Sequence, residues 1–136
     1  MEIARFPFTK IGRGPLGLVF RPYAKVFLFA KKRKVWLICN MVVDTGADYT
    51  LLPRRYAAAL EIDLVKDCQA DTSIGVGGSE TVYLHKSLLI KIGNWQKRIP
   101  VGFLERDDIP PLLGRLEALE VLKLIMDKHL TSFEKT

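Results

Sequence analysis

Along most of the chain, apolar runs alternate with short polar breaks at a spacing too tight for long helices. Arg21 to Phe29 and Val35 to Val43 are rich in Val, Phe, Leu, Ile and Trp, residues that suit a pleated, half-buried surface. Lys31-Lys32-Arg33-Lys34 separates them as a turn would, and the pattern predicts a β-hairpin. Pro53 can occupy a helix first turn, and Arg54 to Leu60, with three consecutive alanines, predicts a short helix ending near Glu61. Ser73-Ile74-Gly75-Val76-Gly77-Gly78-Ser79 reads as a glycine-rich hairpin tip, followed by a β-prone stretch over Thr81 to Leu84. Ser87 to Ile92 alternates apolar and polar residues, Gly93-Asn94 marks a turn, and Trp95 to Leu104 returns as a second strand of that hairpin.

Glu105 to Pro111 forms an acidic, proline-bearing loop, and Arg115 to Glu120 favours a helical turn. Val121 to Met126 and Leu130 to Phe133 can pair around Asp127-Lys128-His129. Before residue 20, Pro7, Gly12, Gly14, Pro15 and Gly17 break any long element. Residues 1–19 are therefore expected as an arm with one short strand, ahead of a single domain over 20–136. The chain shows neither repeats nor a linker, and the predicted class is all-β with short helices.

Composition narrows the functional classes. The 136 residues, 49% hydrophobic and 26% charged, suffice for one packed core and sit away from disordered chains. No apolar run approaches the roughly 18 residues of a membrane helix. The first residues lack a basic segment, an apolar segment and a cleavage site in series, so a cytoplasmic location is expected. Cys39 and Cys68 have no metal-site spacing and read as free thiols. His85 and His129 have no ligand-spaced partners, so neither a metal nor a cofactor is expected.

Twenty-one basic residues against fifteen acidic ones give a net charge of +6, densest at Lys31 to Lys34. That cluster raises nucleic-acid binding as a function. A four-residue hairpin turn carries charge for solvation alone, and no aromatic stacking motif accompanies it, so this function is disfavoured.

The candidate chemistry centres on Val42-Val43-Asp44-Thr45-Gly46-Ala47-Asp48, where an apolar strand ends in an acid and a glycine turn. Asp-Thr-Gly alone arises by chance in roughly one chain of this length in thirty or forty. It is equally compatible with a strand end whose Asp44 or Thr45 bonds nearby amides. Two further segments change its weight: the glycine-rich tip, and Pro111-Leu112-Leu113-Gly114-Arg115 downstream.

Together, in this order, the three segments resemble the retropepsin-like aspartic proteases. That family carries two hydrophobics before Asp-Thr-Gly-Ala, a glycine-rich flap, and two hydrophobics before Gly-Arg ahead of a short helix. The resemblance covers about residues 20 to 134 and is nearest to the stand-alone cellular members. It implies a closed, barrel-like half of a two-fold dimer.

The resemblance also implies an activity. One carboxylate takes a proton from water while a second acid protonates the peptide, and two carboxyls sharing a site hold a single proton between them. This chain has one Asp-Thr-Gly, and Asp71-Thr72-Ser73 lacks the glycine, so the second acid must come from another copy. A homodimer with Asp44 of each subunit at the axis would then hydrolyse peptide bonds, with Thr45 bonding across the axis and Gly46 leaving room for the substrate.

Gly114 and Arg115 would support the loop, Arg115 by pairing with Asp48. Gly75 to Gly78 would close over an extended peptide, with Gly75 and Gly77 touching it as Ala47 and Asp48 do from the acid loop. Val42, Ile74, Val76, Ile109, Pro110 and Leu112 would form apolar subsites favouring hydrophobic or aromatic side chains. The alternative of another class is a dimeric peptide-binding or assembly module that keeps the fold without cleaving; an intact Asp44-Thr45-Gly46 favours the enzyme.

Overall fold

The computed structural model describes residues 1–75 and 78–136. The first predicted hairpin is present as β4 (Tyr23–Ala30) and β5 (Val35–Val43), antiparallel from Tyr23 opposite Val42 to Ala30 opposite Val35. Its alternation is plain: Ala24, Val26, Leu28 and Ala30 point inward with Cys39, Met41 and Val43, as a strand with one buried face requires. Burial pushes the Cys39 thiol up to about 11, so it packs as a small hydrophobe. Both cysteines are free.

The helix α1 (Arg54–Ala59) follows a three-residue strand β6 (Thr50–Leu52). Pro53 stands immediately before its first residue, with φ of −59°, an angle its ring sets in advance. The first amides are satisfied from a distance: Arg54 N–H bonds the Arg106 carbonyl at 3.2 Å, and Arg55 N–H bonds an Asp107 carboxylate oxygen at 2.8 Å. The acidic loop therefore caps a helix, which its solvated composition does not suggest. Glu61 ends the helix in the left-handed region at φ 57°.

Where the sequence predicts two strands, Thr81 to Leu84 and Ser87 to Ile92, the structure has one, β8 (Gly78–Ile92). Its first half pairs with β7 (Gln69–Gly75), its second half with β4, and β9 (Trp95–Leu104) runs along both. Between His85 and Leu88 the β8–β9 register shifts by one residue, at the place where β8 changes its other neighbour. β10 (Leu112–Leu113) lies parallel to β5 and antiparallel to β6, and β6 lies parallel to β9. The seven-stranded order is β4-β5-β10-β6-β9-β8-β7, and an additional β4–β8 pairing closes six of the strands into a circuit, with β7 on the outside of β8. Inside sit Leu52, Leu88, Ile90, Ile92, Ile99, Val101 and Phe103.

The early residues depart most from expectation. In place of one short strand there are three: β1 (Glu2–Pro7), β2 (Thr9–Gly14) and β3 (Gly17–Arg21). β2 and β3 form their own hairpin, and β1 joins a second sheet in the order β1-β12-β11, with β11 (Leu122–Asp127) and β12 (Leu130–Lys135). The partner strand overrides the Gly and Pro punctuation: Phe6 pairs opposite Thr131 and packs edge-on against the buried Phe133, ring centroids 6.1 Å apart. β11 and β12 meet at a tight turn with Lys128 and His129 both at positive φ.

In β12, Thr131 is fully buried and its hydroxyl has no hydrogen-bond partner among the described residues. Replacing an unpartnered buried hydroxyl by a methyl of similar shape removes a desolvation cost. Thr131→Val is expected to hold or raise stability, by up to about 1 kcal/mol, measured by urea unfolding. A loss of that size would show that the hydroxyl is needed.

Candidate active site

Asp44 is the first residue beyond β5. The strand ends there because the backbone is handed to two neighbours: Val43 N–H bonds the Pro22 carbonyl at 2.8 Å, and Asp44 N–H bonds the Leu113 carbonyl at 3.0 Å. The chain then turns, with Ala47 N–H on the Asp44 carbonyl at 3.2 Å. One Asp44 carboxylate oxygen accepts the Gly46 N–H at 3.0 Å, the local bond that Asp favours in turns. Asp44 is half-buried, while Thr45 and Gly46 are exposed in the single chain.

The downstream Leu-Leu-Gly-Arg segment clasps this loop. Leu112 and Leu113 pair in parallel with Val42 and Val43, which sets half-buried Val42 beside half-buried Leu112. Arg115 N–H bonds the Ala47 carbonyl at 3.0 Å, and Leu116 N–H bonds the Asp48 carbonyl at 2.9 Å. The Arg115 guanidinium forks, one arm to the Thr45 carbonyl and the other to the Asp48 carboxylate, each at 2.7 Å. The Asp48 side chain is 82% exposed, so the ion pair alone is worth little. The fork matters as a brace, because it grips backbone and side chain of one loop from a residue on another.

Gly114 is required by space. A Cβ there would lie 2.3 Å from both the carbonyl carbon and oxygen of Tyr49. Its N–H donates to the buried Thr50 hydroxyl at 3.1 Å. Tyr49 and Thr50 are thus parts of the clasp that sequence reading misses; their position directly after the Asp-Thr-Gly-Ala-Asp run is the signal that could have pointed to them. Burial, with Asp71 and Asp48 nearby, raises the Tyr49 phenol above its ordinary value.

Ile74 and Gly75 close β7, with Gly75 opposite Gly78 in the register of the hairpin. Val76 and Gly77 lie outside the described residues. Glu80, on β8, comes within 3.9 Å of Arg106 in the loop after β9, and that loop continues through half-buried Ile109 and exposed Pro110 to β10. The described candidate residues thus fall on three segments: the end of β5 with its acid loop, the tip of β7, and the stretch from Ile109 through β10 to Arg115. Direct bonds join the first and third.

The sequence profile described as "gag-polyprotein putative aspartyl protease" matches residues 38–118, from the middle of β5 through the clasp. The chain belongs to this family. The crystal structure of a retropepsin-like aspartic protease from Rickettsia conorii is similar to it with a TM-score of 0.67 and 26% identity, over 96% of this chain and 99% of that one. Among curated proteins, none matches the sequence. The retropepsin-like fold therefore extends beyond the profile match into β1 and β12. No helix among the described residues is long and apolar enough to cross a membrane.

Proposed function

We propose that this retropepsin-like chain is an aspartic endopeptidase whose active site forms from two copies, with Asp44 of each facing the other. The observation that carries the reading is the Asp44 loop. A half-buried carboxylate stands at the end of a core strand, beside exposed Thr45 and Gly46, in a loop braced by Arg115 and seated on Gly114. An acid held this firmly at an accessible edge suits chemistry that needs a fixed carboxylate. The alternating outward positions do not explain it.

In this reading one Asp44 carboxylate takes a proton from water as the water oxygen bonds the peptide carbonyl carbon, and the partner carboxyl's proton then passes to the amine nitrogen as the C–N bond breaks. The pair acts as one titrating unit. The glycine hairpin formed by β7 and β8 lies along an extended peptide and offers it backbone groups. Val42, Leu112, Ile109 and Pro110 contact its side chains and favour apolar ones.

Sharing the site makes activity depend on assembly. Specific activity on a peptide substrate is expected to fall when the protein is diluted below its dimer dissociation constant, with sedimentation tracking the dimer in parallel. A monomer that keeps full specific activity would overturn the shared site. Arg115→Ala separates brace from fold: stability of the single chain should change by no more than about 1 kcal/mol, while cleavage drops because the Thr45 and Asp48 contacts are gone. Unchanged cleavage would make the fork a surface ornament.

A further inference from the structure

Away from the acid loop, the densest positive charge is the turn between β4 and β5, and its four basic residues do different things. Arg33 donates to the Ala59 carbonyl and pairs with Glu61 at 3.0 Å, which ties the turn to the end of α1. Lys31, Lys32 and Lys34 instead line a pocket of about 740 Å³, to which Glu61 also contributes. Arg98 of β9 adds a fourth cation to the lining, opposite Leu89 in the β8–β9 register. None of these four makes an ion pair with a described residue.

The wall behind the cations is apolar, built from Phe29 of β4, Leu88 and Leu89 of β8, and Leu60 and Ile62 after α1. Two acids also line the pocket, and both are engaged. Glu61 holds Arg33, and the Asp67 carboxylate accepts the Asp63 N–H at 2.8 Å. The volume lies within the range of about 300–1,000 Å³ typical of small-ligand pockets. A bare anion would leave the apolar wall in water, and an uncharged chain would gain nothing from the lysines.

We propose that this pocket binds a free straight-chain alkyl carboxylate, its chain along Phe29, Leu60 and Leu89 and its head group among Lys31, Lys32, Lys34 and Arg98. Charge complementarity selects the head and the apolar wall selects the tail. The lysine stems add further apolar contact while their ammonium groups reach the carboxylate. The site lies at the foot of the glycine hairpin, since His85, whose ring nitrogen is 3.2 Å from the Asp67 carbonyl, also lines it. It does not depend on peptidase activity.

The test is calorimetric titration of the full chain with sodium decanoate below its micelle concentration. Decyltrimethylammonium serves as a tail of the wrong charge and acetate as a head without a tail. One saturable decanoate site per chain is expected, with decyltrimethylammonium at least about tenfold weaker and acetate silent. Lys31→Glu with Lys34→Glu, both in an exposed turn, should weaken decanoate by at least about tenfold while circular dichroism stays unchanged.

Absence of saturable decanoate binding would overturn the proposal. So would binding that survives in the doubly substituted chain, because the ligand would then lie elsewhere. Should the double variant lose its native spectrum, Leu89→Asp, at a half-buried outward position, takes its place, and retained decanoate affinity in that variant overturns the proposal equally. Association with anionic phospholipid vesicles without decanoate binding would point to a membrane surface and also overturn it.

Discussion

Asp44→Asn is expected to abolish peptide cleavage while leaving a folded chain that still pairs with the wild type. Asparagine keeps the size of the side chain and an oxygen able to accept the Gly46 N–H, now made at 3.0 Å to the carboxylate, so the turn survives. The lost function is proton exchange with water, which an amide cannot perform. Mixing gives the sharper result. At constant total protein, an equal mixture of wild-type and Asp44→Asn chains should retain about a quarter of the activity, because only dimers with both acids work. Independent chains would retain about half. A value near half after subunits have exchanged would sink the shared site, and near-native activity of the pure variant would remove Asp44 from the chemistry altogether.

Gly114→Ala should be the most damaging single methyl in the molecule's working half. The added carbon meets the Tyr49 carbonyl at 2.3 Å and the Thr50 nitrogen at 2.9 Å. Both are backbone, so relief requires the acid loop itself to move, breaking the Gly114 bond to the Thr50 hydroxyl. Overpacking of this kind costs about 3 kcal/mol, read as a shifted urea midpoint. Gly46→Ala is the control: its nearest contact is an Asp44 oxygen at 3.3 Å, in an exposed turn, and its stability should lie within about 1 kcal/mol of wild type. Equal losses in the two variants would mean that the Gly114 contact yields more easily than its geometry indicates.

What the sequence shows and what it hides follow from how far each signal reaches. The β4–β5 and β8–β9 hairpins are legible because alternation and turn residues are adjacent in the chain. So is the Asp44-Thr45-Gly46 turn and, through the family pattern, the Asp48–Arg115 pair, which the structure joins at 2.7 Å. β6 and β10 are not legible, since strands of two or three residues carry no period and form because distant neighbours bond them. β1 and the β2–β3 hairpin are hidden for a related reason. Their glycines and prolines argue locally against strands, and β1 is held by β12, more than a hundred residues away.

The span of the clasp sets the order in which the chain can mature. Thr45 and Asp48 wait for a guanidinium 70 and 67 residues further on, and Thr50 waits for an amide 64 residues on. Loop closure over such distances precedes any reward from the contacts, so the acid loop belongs to the late, slow part of folding. A chain still being synthesised has its aspartate long before it has the arginine that braces it. In the proposed shared site, an acid positioned only after Leu116 has been added, and completed only by a second finished copy, would be silent while the chain is being made.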